Sequence, residues 1–378
     1  MLDEARRWGR LATAAEEQEH RQRASSAPGD YHGDIAAREL HWYDGRDWVR
    51  LAHNGGWESL GTARREDASI HDDGWRPWTQ SFDESAAPFY RWFCGGLTNA
   101  CFNEVDRHVL GGRGARAAFL FEGDRWDPSR NDGRGGPVQQ QEISYARLLY
   151  ETVLRAEVLA GLGLGKGDRV AFNLPNIPEQ LYYTEAAKRL GIIYTPVFGG
   201  FSAKTLSDRI FDAGARIVVT ADGGYRNAEV VPYKEAYTDQ ALDNYVPRPA
   251  ALAGLAEALQ PFELGAVGNA LEASVADALA GEITLERSDV MRELGRALEG
   301  ADLAPERKAE IRTSVARRLA AVQHIVEQVL VVRYTGQDIV EQSRDRWSTD
   351  LVDAARERVL AAARDAGFDV ADEAGLLA

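Results

Sequence analysis

Cysteine is scarce, with two in 378 residues. Cys94 and Cys101 are spaced for neither a CxxC redox pair nor a zinc site with nearby histidines, so a disulfide framework and a zinc module are both excluded. Two buried thiols in a reducing compartment are expected instead. No apolar run approaches the ~18 residues of a membrane helix. Residues 1–23 are charged and lack the apolar stretch of a secretory signal. Together these readings predict a cytoplasmic protein. Basic residues are outnumbered, 44 Lys and Arg against 59 Asp and Glu, which leaves a net charge of -15. Nucleic acid needs a basic face, so it is disfavoured as a partner, and the Arg317 and Arg318 pair reads as a solvated helix surface.

The usual catalytic signatures are absent as well. There is no HExxH and no GxSxG, and the seven histidines are scattered singly. No catalytic residue and no metal ligand is nominated. The glycine-rich stretch 161–167 fails as a P-loop, which would need glycine at 160 and Ser or Thr at 167, where this chain has Ala160 and Gly167. It follows a helical pattern and opens a strand, the reverse of a dinucleotide fingerprint, and so reads as a helix stop and turn. Residues 127–138 fail as a calcium loop, with Asp132 at the glycine position and Val138 at the bidentate acid.

Tryptophan is abundant in residues 1–87, at Trp8, Trp42, Trp48, Trp57, Trp75 and Trp78. The indoles are expected to pin short elements onto a neighbour. Stacking on carbohydrate is the sharper alternative, but no module period repeats. Residues 142–220 alternate helix and strand. Ser144 caps a helix that runs to about Ala160, with Ile143 and Leu148 as its staple. Arg169 to Leu174 is a strand. Asn176 and Glu179 look like a capping box for a second helix that Gly191 ends. Ile192 to Phe198 is a second apolar strand. Ser202 caps a third helix, stapled by Phe201 and Leu206 and closed by Gly214, and Arg216 to Thr220 is a third strand. This alternation predicts a parallel α/β sheet covered on both faces. Residues 249–328 are rich in alanine and leucine and read as a helical insertion. In it Pro305 starts a helix with the stripe Ile311, Val315, Leu319, Val322 and Val326. Val329 to Val332 returns as a buried strand.

Several segments in one order resemble AMP-forming acyl-CoA synthetases of the adenylate-forming superfamily. Residues 90–99 (YRWFCGGLTN), continued by 103–108 (NEVDRH), are similar to the entry segment of acetyl-CoA synthetases. Residues 167–171 (GDRVA) through Pro175 and Asn176 resemble the strand and loop of adenylate-forming ligases. Residues 197–202 (VFGGFS) look like the acetyl-CoA synthetase signature. Residues 220–226 (TADGGYR) lead to Pro232, Tyr233 and Lys234, and 331–336 (VVRYTG) with 344–347 (RDRW) match the approach to the ATP loop. The likeness spans about residues 88–350. The loop 126–136, the run 222–245 and the helical insertion are closer still to the ligase part of propionyl-CoA synthase.

The resemblance implies the parallel sheet of an adenylate-forming N-terminal domain, incomplete in this sequence. Its expected parts are a Trp-rich segment 1–87, an α/β region 88–248, the insertion 249–328 and a return strand with connector 329–378. It implies a reaction of a short-chain acid with ATP and CoA, assisted by magnesium. Such a ligase needs a Thr/Ser/Gly loop with a lysine for the ATP phosphates, and Tyr334, Thr335 and Gly336 are followed by Gln337 and Asp338 instead. The chain alone is therefore expected to be inactive, with the remainder of a ligase as its partner in cis or trans. Apolar faces of the helices after Asn176 and Ser202 are expected to be open. What the resemblance retains is part of the CoA side: Phe198, Gly199, Gly200 and Phe201 as a turn along the pantetheine passage, and Arg226 toward phosphate. Gly199 and Gly200 also fit a plain tight turn, and Arg226 a surface salt bridge. A second family arginine falls on Glu229, whose charge opposes phosphate. Two other classes remain in view: a non-catalytic binding or assembly module with the same fold, and, more distantly, a dehydrogenase without its fingerprint.

Overall fold

The computed structural model describes residues 13–40, 42, 49–53, 56–60, 78–96, 98–197, 199, 201–337, 339, 342–365, 367 and 370. The chain forms two compact units. One comprises residues 1–116 with 144–149, the other residues 117–143 with 150–378.

In the first unit, helices Ala14–Ser26 and Pro28–Glu39 follow one another. The first starts with a full capping box. The Thr13 hydroxyl accepts the Glu16 N–H at 3.2 Å, and the Glu16 carboxylate accepts the Thr13 N–H at 3.0 Å. Strand Val49–His53 pairs antiparallel with Gly56–Leu60, and Gln80–Asp83 with Arg91–Cys94. Tryptophan does pin this segment. Trp42 is buried, donates to the Ala36 carbonyl at 3.2 Å, and packs edge-on against Trp78 at 5.1 Å, with Phe93 against both. Trp8, Trp48, Trp75 and the Trp57 side chain lie outside the described residues. Neither cysteine is in a disulfide among the described residues. Cys101 is buried as expected, but Cys94 is only half-buried, because its strand belongs to a two-stranded hairpin rather than to a covered sheet.

The second unit is built on five parallel strands: β1 (Arg169–Asn173), β2 (Ile193–Pro196), β3 (Ile217–Ala221), β4 (Gln328–Val332) and β5 (Asp345–Trp347). Their spatial order is β2-β1-β3-β4-β5. Arg169 stands beside Ile193, Ile217 beside Val170 and Gln328, and Val329 beside Asp345. The helices that contribute to this unit are α1 (Tyr145–Gly161, from Tyr150 onward), α2 (Pro178–Leu190), α3 (Ala203–Ala213), α4 (Arg248–Leu259), α5 (Ala266–Ala278), α6 (Arg287–Gly300), α7 (Pro305–Ala321) and α8 (Ser348–Asp365). Alternation along the strands feeds two cores. Val170, Phe172, Ile217, Val219, Leu330 and Val332 face α1, α2 and α8, while Ala171, Val218, Val329 and Val331 face Leu206 and Ile210 of α3. Each large side chain so buried stabilises the fold by roughly 1.5–3 kcal/mol.

Local signals mostly held. The Ser144 hydroxyl accepts the Arg147 N–H at 3.2 Å, and that of Ser202 the Thr205 N–H at 3.2 Å. Gly191 and Gly214 close α2 and α3 with φ of 71° and 64°. The 161–167 stretch is a helix stop and turn, with φ of +82° at Gly163 and +89° at Gly167.

Four expectations are corrected. The capping box at Asn176 and Glu179 does not form: Ile177 is the N-cap and Pro178 occupies the first turn, so the fixed proline φ starts α2 without a side-chain cap. The strand at Ile192 to Phe198 is shorter and lies at the sheet edge, with Ile193 58% exposed and Pro196 where no ladder donor is needed. Phe201 is 45% exposed, so the staple expected at the start of α3 leaves much of its ring uncovered, whereas Leu206 is buried. The apolar faces of α2 and α3 are closed: Tyr183, Ala186, Leu206 and Ile210 are buried, and neither helix carries an exposed large hydrophobic residue.

The helical insertion has a core of its own. Leu255 and Leu259 of α4, Leu271 and Val275 of α5, Val290, Leu294 and Leu298 of α6, and Ile311, Val315 and Leu319 of α7 pack together. The stripe of α7 ends at Leu319. Val322 is already extended and Val326 joins the α3 core, because the chain leaves the helix to enter β4. Strands Tyr245–Pro247 and Thr284–Glu286 pair antiparallel beside this bundle.

Candidate functional site

Strand β1 connects to β2 on one side, and the chain then crosses back to place β3 on the other side of β1. The sheet therefore has a topological switch point at the carboxyl ends of β1 and β3. Loops leave in opposite directions there, which opens a crevice where α/β sheets hold ligands. A cavity of 540 Å³ occupies that position.

Its floor comes from the residues after β1, Leu174 to Ile177, and from Gln180 on the first turn of α2. The amino end of α2 thus faces the cavity with its positive dipole end. Pro196, Val197 and Gly199 follow from the β2 end. Tyr225 and Arg226 come from a hairpin, Gly224–Arg226 paired with Glu229–Val231, that follows β3. Tyr233 lies beyond that hairpin, and Tyr334 follows β4. Glu122 and Asp124 complete the lining.

Tyr233 organises this end of the sheet. A Cβ at Gly199 would lie 2.2 Å from its hydroxyl, and a Cβ at Gly224 would lie 2.9 Å from the other edge of its ring. Two glycines from separate loops thus accommodate one aromatic ring. Burial raises the Tyr233 phenol above its ordinary value, and Tyr237 adds to this while Arg226 opposes it. The phenol therefore stays protonated at neutral pH and can donate. Tyr225 stands edge-on to Tyr334 at 5.8 Å, and the Arg125 guanidinium covers the Tyr225 ring at 4.2 Å. The Tyr334 hydroxyl donates to Gln139 Oε1 at 2.8 Å.

Asp222 fixes the wall carrying Tyr334. Its carboxylate is buried and accepts the N–H groups of Tyr334 at 2.9 Å, Thr335 at 3.0 Å, Gly336 at 2.9 Å and Gln337 at 3.2 Å, besides that of Gly223 at 2.6 Å. The loop does form an anion cradle, with Gly336 at φ +77°, but its anion is the protein's own carboxylate. Further from the crevice, Lys234 is buried between Asp239 at 2.9 Å and Asp345 at 2.8 Å. Burial lowers its pKa, and the bonds and charges of the two carboxylates more than reverse this.

Of the residues singled out from sequence, the cavity brings together Gly199 and Arg226. Phe198 and Gly200 lie outside the described residues. Phe201 is 45% exposed and does not line the cavity. Arg226 makes no ion pair among the described residues and is exposed at the rim, so it is not the surface salt bridge considered above. Its hairpin neighbour Glu229 is exposed as well. The turn between them holds Asn227 at φ 53° and Ala228 at φ 65°, and the Ala228 N–H donates to Asp124 at 2.8 Å. Tyr225, Tyr233, Tyr334, Glu122, Asp124, Asn176 and Gln180 were not nominated as site residues. The Tyr233 signal was present as two glycines in separate motifs, legible only once one ring is seen to need both.

Gly199→Ala is expected to destabilise the chain by about 1–3 kcal/mol, because the methyl group cannot coexist with the Tyr233 ring. Tyr233→Ala, neutral or harmful alone, should recover part of that loss in the double variant. Denaturant unfolding of the four proteins checks this, and strictly additive effects would refute the contact.

Comparison with known proteins agrees with this architecture. Residues 127–277 match the family model described as AMP-binding enzyme, and residues 74–103 the model described as acetyl-coenzyme A synthetase N-terminus. The chain is 39% identical over 197 residues to an acetyl-coenzyme A synthetase of Rhodopirellula baltica, covering 50% of this chain and 28% of that protein. It is 44% identical over 167 residues to that of Mycobacterium tuberculosis, covering 44% and 24%. It is 42% identical over 166 residues to that of Campylobacter jejuni, covering 44% and 23%. The matched region thus spans about a quarter of the length of these relatives. Over these stretches the chain is similar to AMP-binding enzymes and to acetyl-coenzyme A synthetases, and the parallel sheet with its switch-point cavity agrees with that likeness.

Proposed function

We infer that this chain contributes the coenzyme A-facing part of an AMP-forming acid–thiol ligase for a short-chain acid. The supporting observation is the convergence of Gly199, Arg226 and the amino end of α2 on one cavity at the switch point. The lining suits a slender amide-bearing arm. Leu174, Pro175, Val197 and the tyrosyl rings offer apolar walls, and Asn176, Gln180 and the protonated Tyr233 phenol offer hydrogen bonds. Arg226 is placed for a phosphate at the rim, and the α2 dipole adds to it. Glu122 and Asp124 stand at the same cavity and oppose it, which keeps affinity low. When bound, coenzyme A supplies the thiol that accepts the acyl group; the residues here bind and orient it.

The Tyr334 to Gln337 loop does not fit the ATP phosphates, since its amides are occupied by Asp222. Acid activation with ATP and magnesium is assigned to the complete ligase. Acetate follows from the names of the relatives. Propionate and 3-hydroxypropionate are retained from the resemblance of the loop 126–136, the run 222–245 and the helical bundle to propionyl-CoA synthase. One observation favours the other reading, a binding or assembly module: the Cβ direction of Gly199 is filled by Tyr233 rather than open to a ligand.

Calorimetric titration of coenzyme A separates the two readings. The account expects weak, saturable binding that Arg226→Ala weakens by up to about tenfold, worth ~1.4 kcal/mol. It also expects no ATP–pyrophosphate exchange with acetate, propionate or 3-hydroxypropionate from this chain alone. Absence of binding supports the module; tight binding indifferent to Arg226→Ala removes the site assignment.

A further inference from the structure

At the opposite end of the sheet, where β4 and β5 begin, lies a second and larger cavity of 710 Å³. It forms where the helical bundle rejoins the sheet. Arg287 comes from the first residue of α6, His324 from the link between α7 and β4, and Arg344 from the turn into β5. The strands are parallel, so their full length separates this cavity from the switch-point crevice.

Its polar groups are incompletely satisfied. Both ring nitrogens of His324 are buried with no hydrogen bond of ordinary geometry, the Ser207 backbone being near enough only to favour the protonated ring, and Arg344 Nε is buried without a partner. Arg344 Nη2 reaches Asp243 at 2.7 Å. Arg287 donates to two neutral carbonyls, Leu319 at 3.0 Å and Val322 at 2.5 Å, which close the end of α7. The other acid at the cavity, Glu327, is held by Arg216 at 2.9 Å. The charged lining groups, Arg287 and Arg344 against Asp243 and Glu327, sum to zero, but Glu327 is drawn to Arg216, which lies outside the lining, and Arg287 has no carboxylate partner of its own.

We propose that this cavity binds a phosphomonoester, with His324, Arg344 and Arg287 around its phosphate and the organic part filling the remaining volume. Neutral imidazole presents one donor and one acceptor. A singly protonated phosphate matches both: its oxygens accept from Arg344 Nε and the ring N–H, and its P–OH donates to the other ring nitrogen. With a second pKa near 6, a phosphomonoester takes up that proton readily near neutrality. Sulfate and carboxylates lack the donor and must wait for the ring to protonate. The ring resists this, because burial pushes His324 down to about 4; the Ser207 backbone opposes it, and Arg344 and then Arg287 add smaller downward effects.

The test titrates glycerol 3-phosphate, inorganic phosphate and sulfate into the full chain at pH 7, by calorimetry and by imidazole nitrogen NMR. Glycerol 3-phosphate is expected to bind most tightly, with proton uptake and movement of the His324 signals, and sulfate most weakly. His324→Gln and Arg344→Gln should each weaken it about tenfold or more, while Arg226→Gln leaves it unchanged. Thermal melting verifies that each variant is folded, and Arg344→Lys, which keeps the charge, should recover part of the binding. Tighter inorganic phosphate would overturn the monoester assignment. Binding that survives both substitutions, binding lost in Arg226→Gln, or His324 signals that stay fixed at saturation would overturn the site.

Discussion

Asp222→Ala is expected to lose on the order of 3 kcal/mol or more, because four amides of one loop depend on this carboxylate. The half-buried Tyr334, Thr335 and Gln337 N–H groups, and that of the exposed Gly336, would lose an acceptor that is itself fully buried. For a unit of this size that corresponds to a fall of about 6–12 °C in melting temperature. Asp222→Asn keeps the shape but turns a donor toward donors, so it should recover little. The loss should also reach the crevice, because Asp222 joins the loop after β3 to the one that carries Tyr334. Calorimetric melting of both variants checks this, and a change within ~1 °C for Asp222→Ala would contradict it.

The second large effect is a pH dependence. His324 is held near 4 in the folded chain against an ordinary value of 6.5, with burial as the main cause. The unfolded chain therefore takes up the proton first. The contribution of His324 to stability is full above about pH 6.5, is lost as pH falls toward 4, and changes no further below that. The total lost is up to about 3 kcal/mol. His108, in the other unit, is likewise pushed down to about 4 by burial and by Arg107 and Arg113. Unfolding curves between pH 7 and 4.5 for wild type, His324→Gln and His108→Gln separate the two. Each substitution should flatten the curve, and a His324→Gln curve parallel to wild type would refute the assignment.

Local chemistry was readable wherever a residue acts on its own neighbours. Ser202, Gly191 and Gly214 end or begin helices through contacts within four residues, and their roles were plain from sequence. Apolar strands announced the sheet, but not that β2 would be its edge, because edge position depends on which strands lie beyond it. The site was half legible. Gly199 and Arg226 stood in recognisable motifs, whereas Tyr233 and Asp222 act across 34 and more than 100 residues, on Gly199 and on the Tyr334 loop. No local pattern records such partners. The same holds for the second cavity, whose three cationic or basic groups come from α6, the α7–β4 link and the turn into β5.

Hydrogen exchange with and without coenzyme A tests the central assignment most directly. If the switch-point crevice takes the ligand, exchange should slow in peptides covering 174–180, 197–203 and 224–234 and stay unchanged in α4–α7, and Arg226→Ala should reduce that protection. No slowing of those peptides at saturating coenzyme A, or slowing confined to the helical bundle, would contradict the account.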